Sequence, residues 1–123
     1  KHLTVEENEV VLLDMEAGVD HFGRGVDNSV DLILMIVDPS FESLKLTKKI
    51  QQLGESIGKT VFFVLNKVNG QILPTMLESI DDQSKVLAVI SEDTEIARKG
   101  LLGNELMMEI PEIHTLARKI LKQ

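Results

Sequence analysis

The sequence predicts an α/β protein with an open parallel sheet of about four strands flanked by helices. Four short apolar runs carry this prediction, beginning at residues 10, 32, 61 and 86, which are 22, 29 and 25 residues apart. Each run is continuous rather than alternating, which is typical of strands covered on both faces in a parallel sheet. The spacing also leaves room for a helical crossover between successive strands. The runs are VVLL at 10–13, LILMIV at 32–37, VFFVL at 61–65 and VLAVI at 86–90.

The segment between the second and third runs has the pattern of an amphipathic helix. Within residues 42–57, apolar residues recur at intervals of three and four, which places them on one helix face. Pro39 and Ser40 precede this helix as start signals, and Gly58 is expected to cap its end. The residues of the apolar face are Leu46, Ile50, Leu53 and Ile57.

Three more helices are expected in the second half of the chain. A short one follows Gln71, another runs from Glu92 to near Gly100, and a third has Pro111 near its first turn. The alternation of strands and helices predicts right-handed crossovers in one layered unit. Residues 1–123 are therefore expected to form a single α/β domain, since this length suits one core. The apolar stripe of the last helix is Ile113, Leu116, Ala117, Ile120 and Leu121.

The composition limits the classes of function. Twenty acidic against thirteen basic residues give a formal net charge of −7, which disfavours binding to nucleic acid or to an anionic membrane. The sequence has no run of about eighteen apolar residues and so predicts no membrane span. It also has no cysteine, which excludes disulfides and thiolate metal sites in these residues and suits a cytoplasmic location.

Polar side chains follow each of the four predicted strands. In an open parallel sheet, ligands bind outside the carboxyl ends of the strands. Side chains at these four ends are able to contact a metal, a phosphate or a base, so we expect a ligand-binding edge rather than only a solvated one. They are Asp14 with Glu16, Asp38 with Ser40, Asn66 with Lys67, and Ser91 with Glu92 and Asp93.

The tetrapeptide NKVN at 66–69 is the most informative of these ends. Many P-loop nucleotide enzymes hold the base with an Asn-Lys pair after a buried strand. The Asn66 amide offers a donor and an acceptor to a purine edge, and the stem of Lys67 is able to cover a ring face. Guanine-specific enzymes have an aspartate where this chain has Asn69, so guanine is disfavoured. The alternative is a turn formed by Asn66, Asn69 and Gly70.

The tripeptide GKT at 58–60 resembles the end of a phosphate-binding loop, G-x-x-x-x-G-K-[ST], but its context is wrong. The first glycine of such a loop would be residue 53, which is Leu53. A working loop also leaves a strand and opens a helix, so that backbone N–H groups face the phosphates. This tripeptide is predicted to end a helix and enter a strand, so we interpret Gly58 as a helix cap.

Four segments together carry a family resemblance: DMEAGVDHFGRG at 14–25, VDPSFESLKLTKKIQQLGESIG at 37–58, VLNKV at 64–68 and VISEDTEIARKGLLG at 89–103. They resemble the second half of the MinD/ParA-type P-loop ATPases. The resemblance is greatest to the CooC-type ATPases, which assist nickel insertion into carbon monoxide dehydrogenase. It implies a P-loop NTPase-like half-domain that binds ATP with Mg²⁺, forms a homodimer and serves carbon monoxide dehydrogenase.

The resemblance also implies roles for individual residues. Asp14 would hold Mg²⁺ through water, and Gly18 would be a switch glycine near the γ-phosphate, where the missing Cβ permits close approach. Asn66 would hydrogen-bond the adenine edge, next to Lys67. Ser91, Glu92 and Asp93 would line the base and the ribose, with Ser91 standing where the family usually has proline.

Two features of the family have no counterpart in these 123 residues: the glycine-rich phosphate loop with its lysines, and the Cys-x-Cys pair of the CooC-like branch. The chain is therefore expected to be the C-terminal half of such an ATPase, and to be unable to hydrolyse ATP alone. One alternative is a non-catalytic interaction module resembling a receiver domain, with Asp38 as phosphoacceptor. Another is a half-domain that completes its sheet by pairing with itself.

Overall fold

The computed structural model describes residues 6–15 and 29–123, which contain one parallel sheet and its helices. Strand β1 is followed by the long helix α1, strand β2, the short helix α2, a 3₁₀ turn at Gln83–Lys85, strand β3, and helices α3 and α4. The α/β class predicted from the sequence is confirmed. The bounds are β1 Leu32–Val37, α1 Phe41–Ile57, β2 Thr60–Val68, α2 Leu73–Glu78, β3 Val86–Ser91, α3 Thr94–Leu102 and α4 Pro111–Leu121.

The strands of the described part lie in the order β1-β2-β3, and both neighbouring pairs are parallel. Three of the four predicted strands are confirmed. The fourth prediction, a strand at 10–13, is wrong, because residues 9–15 have no regular secondary structure. A strand needs a neighbour that accepts its backbone hydrogen bonds, and the described sheet offers none to this segment. Its side chains lie in solvent: Val10 is 61% exposed and Leu12 is 85% exposed.

The main core lies between one face of the sheet and helices α1 and α2. Phe63, Leu65 and Val37 are almost fully buried there, and Ile50 and Met76 contribute from the two helices. The predicted apolar face of α1 is confirmed, since its other members Leu46, Leu53 and Ile57 pack against this core. Burial of this face accounts for the position of α1 against the sheet.

Helix α1 begins and ends at the predicted signals. The Ser40 hydroxyl oxygen accepts a hydrogen bond of 3.2 Å from the Ser43 N–H, as an N-cap does. Gly58 ends the helix in the left-handed region at φ 68°, where glycine carries no Cβ penalty. The interpretation of GKT as a helix end that enters β2 is therefore confirmed.

Helix α4 packs against β3, and it is less covered than its predicted stripe suggests. Leu116 and Ile120 are half-buried, whereas Ile113 and Leu121 are largely exposed. The Lys119 ammonium donates a 2.8 Å hydrogen bond to the Leu87 carbonyl of β3 and so fastens the helix to the edge of the sheet. No helix in the described ranges combines the length and the apolar character that crossing a membrane requires.

Candidate functional site

The candidate site lies at the carboxyl edge of the sheet. Because the strands are parallel, the residues that end them meet at one edge. Asp38 follows β1, Asn66 and Lys67 lie near the end of β2, and Ser91 ends β3. The sequence therefore predicted correctly that these polar residues share one edge.

Asp38 contacts both residues of the Asn-Lys pair. Its Oδ1 accepts a 3.1 Å hydrogen bond from the Asn66 side-chain nitrogen, Nδ2, and its Oδ2 lies 3.4 Å from the Lys67 ammonium. The side chains of Lys67 and Asp38 are 63% and 45% exposed, so this ion pair alone adds little stability. The cluster brings together three side chains from the ends of β1 and β2.

The first turn of α1 holds Asp38 in place. The Asp38 N–H donates a 3.0 Å hydrogen bond to the Ser43 hydroxyl oxygen, and its carbonyl accepts a 2.8 Å bond from the Ser40 N–H. The segment that caps the helix therefore also sets the position of the carboxylate. The connection Asp38 to Ser40 therefore contains both the cap of α1 and the carboxylate of the candidate site.

A β-bulge orients the Asn-Lys pair. Leu65 pairs with Val89 and Val68 pairs with Ser91, so β2 has one more residue than β3 in this interval. Lys67 lies in the bulge with φ 54°, the left-handed region that costs a residue with a Cβ about 1 kcal/mol or more. Such strain is found preferentially where a structure must aim a side chain.

Asn69 and Asn66 do different things. The Asn69 side-chain oxygen accepts hydrogen bonds from the backbone N–H groups of Gln71, at 3.0 Å, and Ile72, at 3.1 Å. This Asx turn leads into α2, so the turn interpretation is confirmed for Asn69. It is wrong for Asn66, whose amide bonds to Asp38 instead. The position that reads guanine in other enzymes is thus occupied here by a turn residue.

A shallow pocket of about 190 Å³ lies beside the end of β3. Ser91, Glu92 and Asp93 line it together with Ile96, Met108 and Pro111. Small-molecule sites usually measure roughly 300–1,000 Å³, so this pocket has room for part of a nucleotide. Asp93 also caps α3, because its Oδ1 accepts bonds of 2.8 Å and 3.1 Å from the N–H groups of Glu95 and Ile96.

The other end of a nucleotide site is not built by the described residues. Asp14 is exposed, and no group of three or more His, Asp or Glu side chains in ranges 6–15 and 29–123 is placed to hold a metal ion. Gly18 and Glu16 lie outside the described residues, so their predicted roles stay predictions. The described strand-to-helix connections read DPS, NGQI and ED, and none is a glycine-rich phosphate cradle.

The described sheet edge therefore offers hydrogen-bonding side chains but no glycine-rich phosphate cradle. Asn66 offers amide hydrogen-bonding groups, and Lys67 offers a stem and a charge. The pocket beside β3 is of mixed character, because apolar side chains such as Ile96 and Met108 alternate with four acidic ones, Glu92, Asp93, Glu109 and Glu112. Sequence reasoning named Asp38 as a strand end and, in one alternative, as a phosphoacceptor, but it missed the contacts of Asp38 with Asn66 and Lys67. The signal for it was the acid directly after β1, one strand away from the Asn-Lys pair.

Comparison with known proteins gives relatives named as ATP-binding proteins and one named as an accessory protein of carbon monoxide dehydrogenase. The chain is 43% identical over 122 residues to an uncharacterized ATP-binding protein of Methanocaldococcus jannaschii, covering 99% of this chain and 49% of that protein. It is 32% identical over 112 residues to a second such protein of the same organism, covering 89% and 44%. It is 34% identical over 104 residues to the carbon monoxide dehydrogenase accessory protein CooC of Rhodospirillum rubrum, covering 84% and 40%. No protein-family model matches the chain.

These findings confirm the family resemblance. The chain is related to CooC-like ATP-binding proteins over most of its own length, and it spans about half the length of the relatives it matches. Its parallel sheet with flanking helices agrees with a P-loop NTPase-like fold.

Proposed function

We propose that this chain is the C-terminal half of a cytoplasmic, homodimeric CooC-like ATPase and that it supplies the base-binding part of the ATP site. The observation that carries the proposal is the cluster of Asp38, Asn66 and Lys67, which a strained bulge and a helix cap fix at the carboxyl edge. The coding sequence upstream of Lys1 tests whether the chain is the C-terminal half of such an ATPase. A G-x-x-x-x-G-K-[ST] motif there supports it.

Each residue of the edge has a role in this proposal. Asn66 hydrogen-bonds the adenine edge, and the stem of Lys67 lies against the ring. Ser91, Glu92 and Asp93 line the base and the ribose, with Asp93 held by its helix-capping bonds. Outside this edge, Asp14 would hold Mg²⁺ through water, and Gly18 would lie in the switch near the γ-phosphate.

Bound Mg-ATP would supply the phosphoryl group whose transfer to water drives the protein's cycle. That transfer depends on a phosphate cradle and on cationic charge at the γ-phosphate. The contribution of these 123 residues is binding and orientation of the base. The isolated chain is therefore expected to bind Mg-ATP very weakly and to hydrolyse none.

Titration with Mg-ATP tests the base contact in the protein as its gene encodes it. We expect Asn66→Ala to weaken ATP binding about tenfold, because one hydrogen bond to the base is lost. Asn104→Ala, in the exposed segment after α3, serves as the matched control and is expected to bind like the wild type. Equal ATP affinity in Asn66→Ala and the wild type would contradict the base-binding role. ATP hydrolysis by the 123 residues alone would contradict the claim that they contain no phosphate cradle.

The partner in this proposal is carbon monoxide dehydrogenase, the enzyme that the CooC relative is named for as accessory protein. The protein would use ATP to assist nickel insertion into that enzyme. Cells that lack the gene are then expected to make carbon monoxide dehydrogenase of low activity, restored by the wild-type gene and less well by Asn66→Ala. Full carbon monoxide dehydrogenase activity in the deletion strain would contradict a role of this protein in nickel insertion.

The proposed homodimer is tested by light scattering of the encoded protein with and without ATP.

A further inference from the structure

We propose that Asp38 is a positioning residue that fixes the orientation of the Asn66 amide and thereby selects a base with an amino group at position 6. This inference rests on the proposed base-binding role of Asn66 and goes beyond it, because it states which atom of the amide meets the base. It concerns specificity rather than affinity alone.

The carboxylate of Asp38 determines which end of the amide faces it. An ionised carboxylate has only acceptor positions, whereas the amide has a donor nitrogen and an acceptor oxygen. With 3.1 Å between Asp38 Oδ1 and the Asn66 amide, only the nitrogen makes a favourable contact. Rotating the amide by half a turn would place two acceptor oxygens against each other. The other carboxylate oxygen is also occupied, by the Lys67 ammonium at 3.4 Å.

This arrangement leaves the acceptor oxygen of Asn66, Oδ1, for a ligand. Within residues 6–15 and 29–123, no side chain or backbone group donates a hydrogen bond to that oxygen. Asn66 is half-buried, so part of its side chain faces solvent. The edge therefore presents a hydrogen-bond acceptor whose direction is fixed by its neighbour rather than by the ligand.

A fixed acceptor discriminates between purines at position 6. Adenine carries an amino group there and donates to the oxygen, whereas hypoxanthine and guanine carry a carbonyl oxygen, which is itself an acceptor. A freely rotating amide would turn its nitrogen towards the carbonyl and accept both classes. A site built for one pattern rejects the other because polar groups are left without partners. Because of Asp38, the Asn66 amide presents only its acceptor oxygen to the base.

Competition binding of ATP and ITP to the encoded protein tests this inference, since the two ligands share their ribose and phosphates. We expect the wild type to prefer ATP about tenfold. In Asp38→Asn, which keeps the shape and removes the fixed acceptor, the preference should fall to about twofold or less. Asp81→Asn is the matched control, because Asp81 is exposed and precedes β3 at the opposite end of the sheet. It should keep the wild-type preference.

The outcomes separate this inference from the proposed function. If Asp38→Asn folds cooperatively and keeps the wild-type preference, the positioning role is wrong while base binding stands. If the wild type binds ATP and ITP equally, the amide is not held in one orientation and the inference is wrong, while the base contact of Asn66 stands. If the wild type binds neither ligand, the proposed function fails together with the inference. A third ligand needs no variant: purine riboside triphosphate, with hydrogen at position 6, is expected to bind between ATP and ITP. Equal binding of this ligand and ITP would contradict an opposing acceptor at the site.

Discussion

Replacing Phe63 by alanine is expected to lower the free energy of unfolding by about 4 kcal/mol. Phe63 lies in β2, the middle strand, and its side chain is 1% exposed. It packs in the core between the sheet and helices α1 and α2, where Leu65 and Met76 are equally buried. The loss has two parts: the apolar surface that is no longer buried, and the cavity that the surrounding residues only partly close.

Phe41→Ala is the matched control for this change. The same atoms are removed at the first residue of α1, where the phenylalanine is 76% exposed. Its effect should stay within about 0.5 kcal/mol, as for most surface substitutions. Urea unfolding of both variants, with the slope against denaturant compared, provides the measurement. A similar loss of unfolding free energy in both variants would contradict the assignment of Phe63 to the core.

Gly54→Ala is expected to destabilise the protein by about 2 kcal/mol, although alanine is the better helix former. Gly54 is buried on α1, where it faces Val61 of β2. A Cβ built there would lie 2.5 Å from the Val61 side chain (Cγ2) and 2.9 Å from the Lys59 carbonyl oxygen. The β-branched valine is stiff, and the carbonyl belongs to the backbone turn after the helix. The helix therefore has to move away from the strand.

Gly100→Ala in α3 measures the helix preference of alanine over glycine without the steric clash expected at Gly54. A Cβ at Gly100 would meet nothing within 4 Å. This variant is expected to gain about 0.5–1 kcal/mol, because alanine loses less backbone entropy on folding. Thermal unfolding should thus shift the two glycine variants in opposite directions. Stabilisation by both changes would mean that α1 does not approach β2 as closely as described.

Local patterns predicted most of this fold. The run at 32–37 became β1 with the same bounds, and Ser40 and Gly58 cap α1 as expected. These features depend on a few neighbouring residues, so the sequence displays them directly. The strand predicted at 10–13 depends instead on a partner strand. An apolar run without such a partner in the described sheet has nothing to pair with, and its side chains stay exposed.

The sequence predicted that the candidate residues share one edge of the sheet, but it did not predict the contacts between them. That Asn66, Lys67 and Ser91 share an edge follows from the parallel order of the strands. The bond from Asn66 to Asp38 joins residues 28 positions apart, and the left-handed backbone at Lys67 comes from a bulge. Neither has a local signature, since lysine is not a residue that favours the left-handed region. The turn at Asn69, by contrast, joins residues only two and three positions apart, and the sequence alone offered it as an alternative.

The central claim is that these residues bind the base and not the phosphates of ATP. Amide NMR of the 123-residue chain, titrated separately with adenosine and with inorganic triphosphate, tests it most directly. Adenosine is expected to shift the resonances of Asn66, of residues 91–93 and of Met108, which line the edge and its pocket. Triphosphate is expected to shift none of them, nor Gly58 in its helix cap. Shifts at Gly58–Thr60 with triphosphate, or no response of Asn66 to adenosine, would contradict the account.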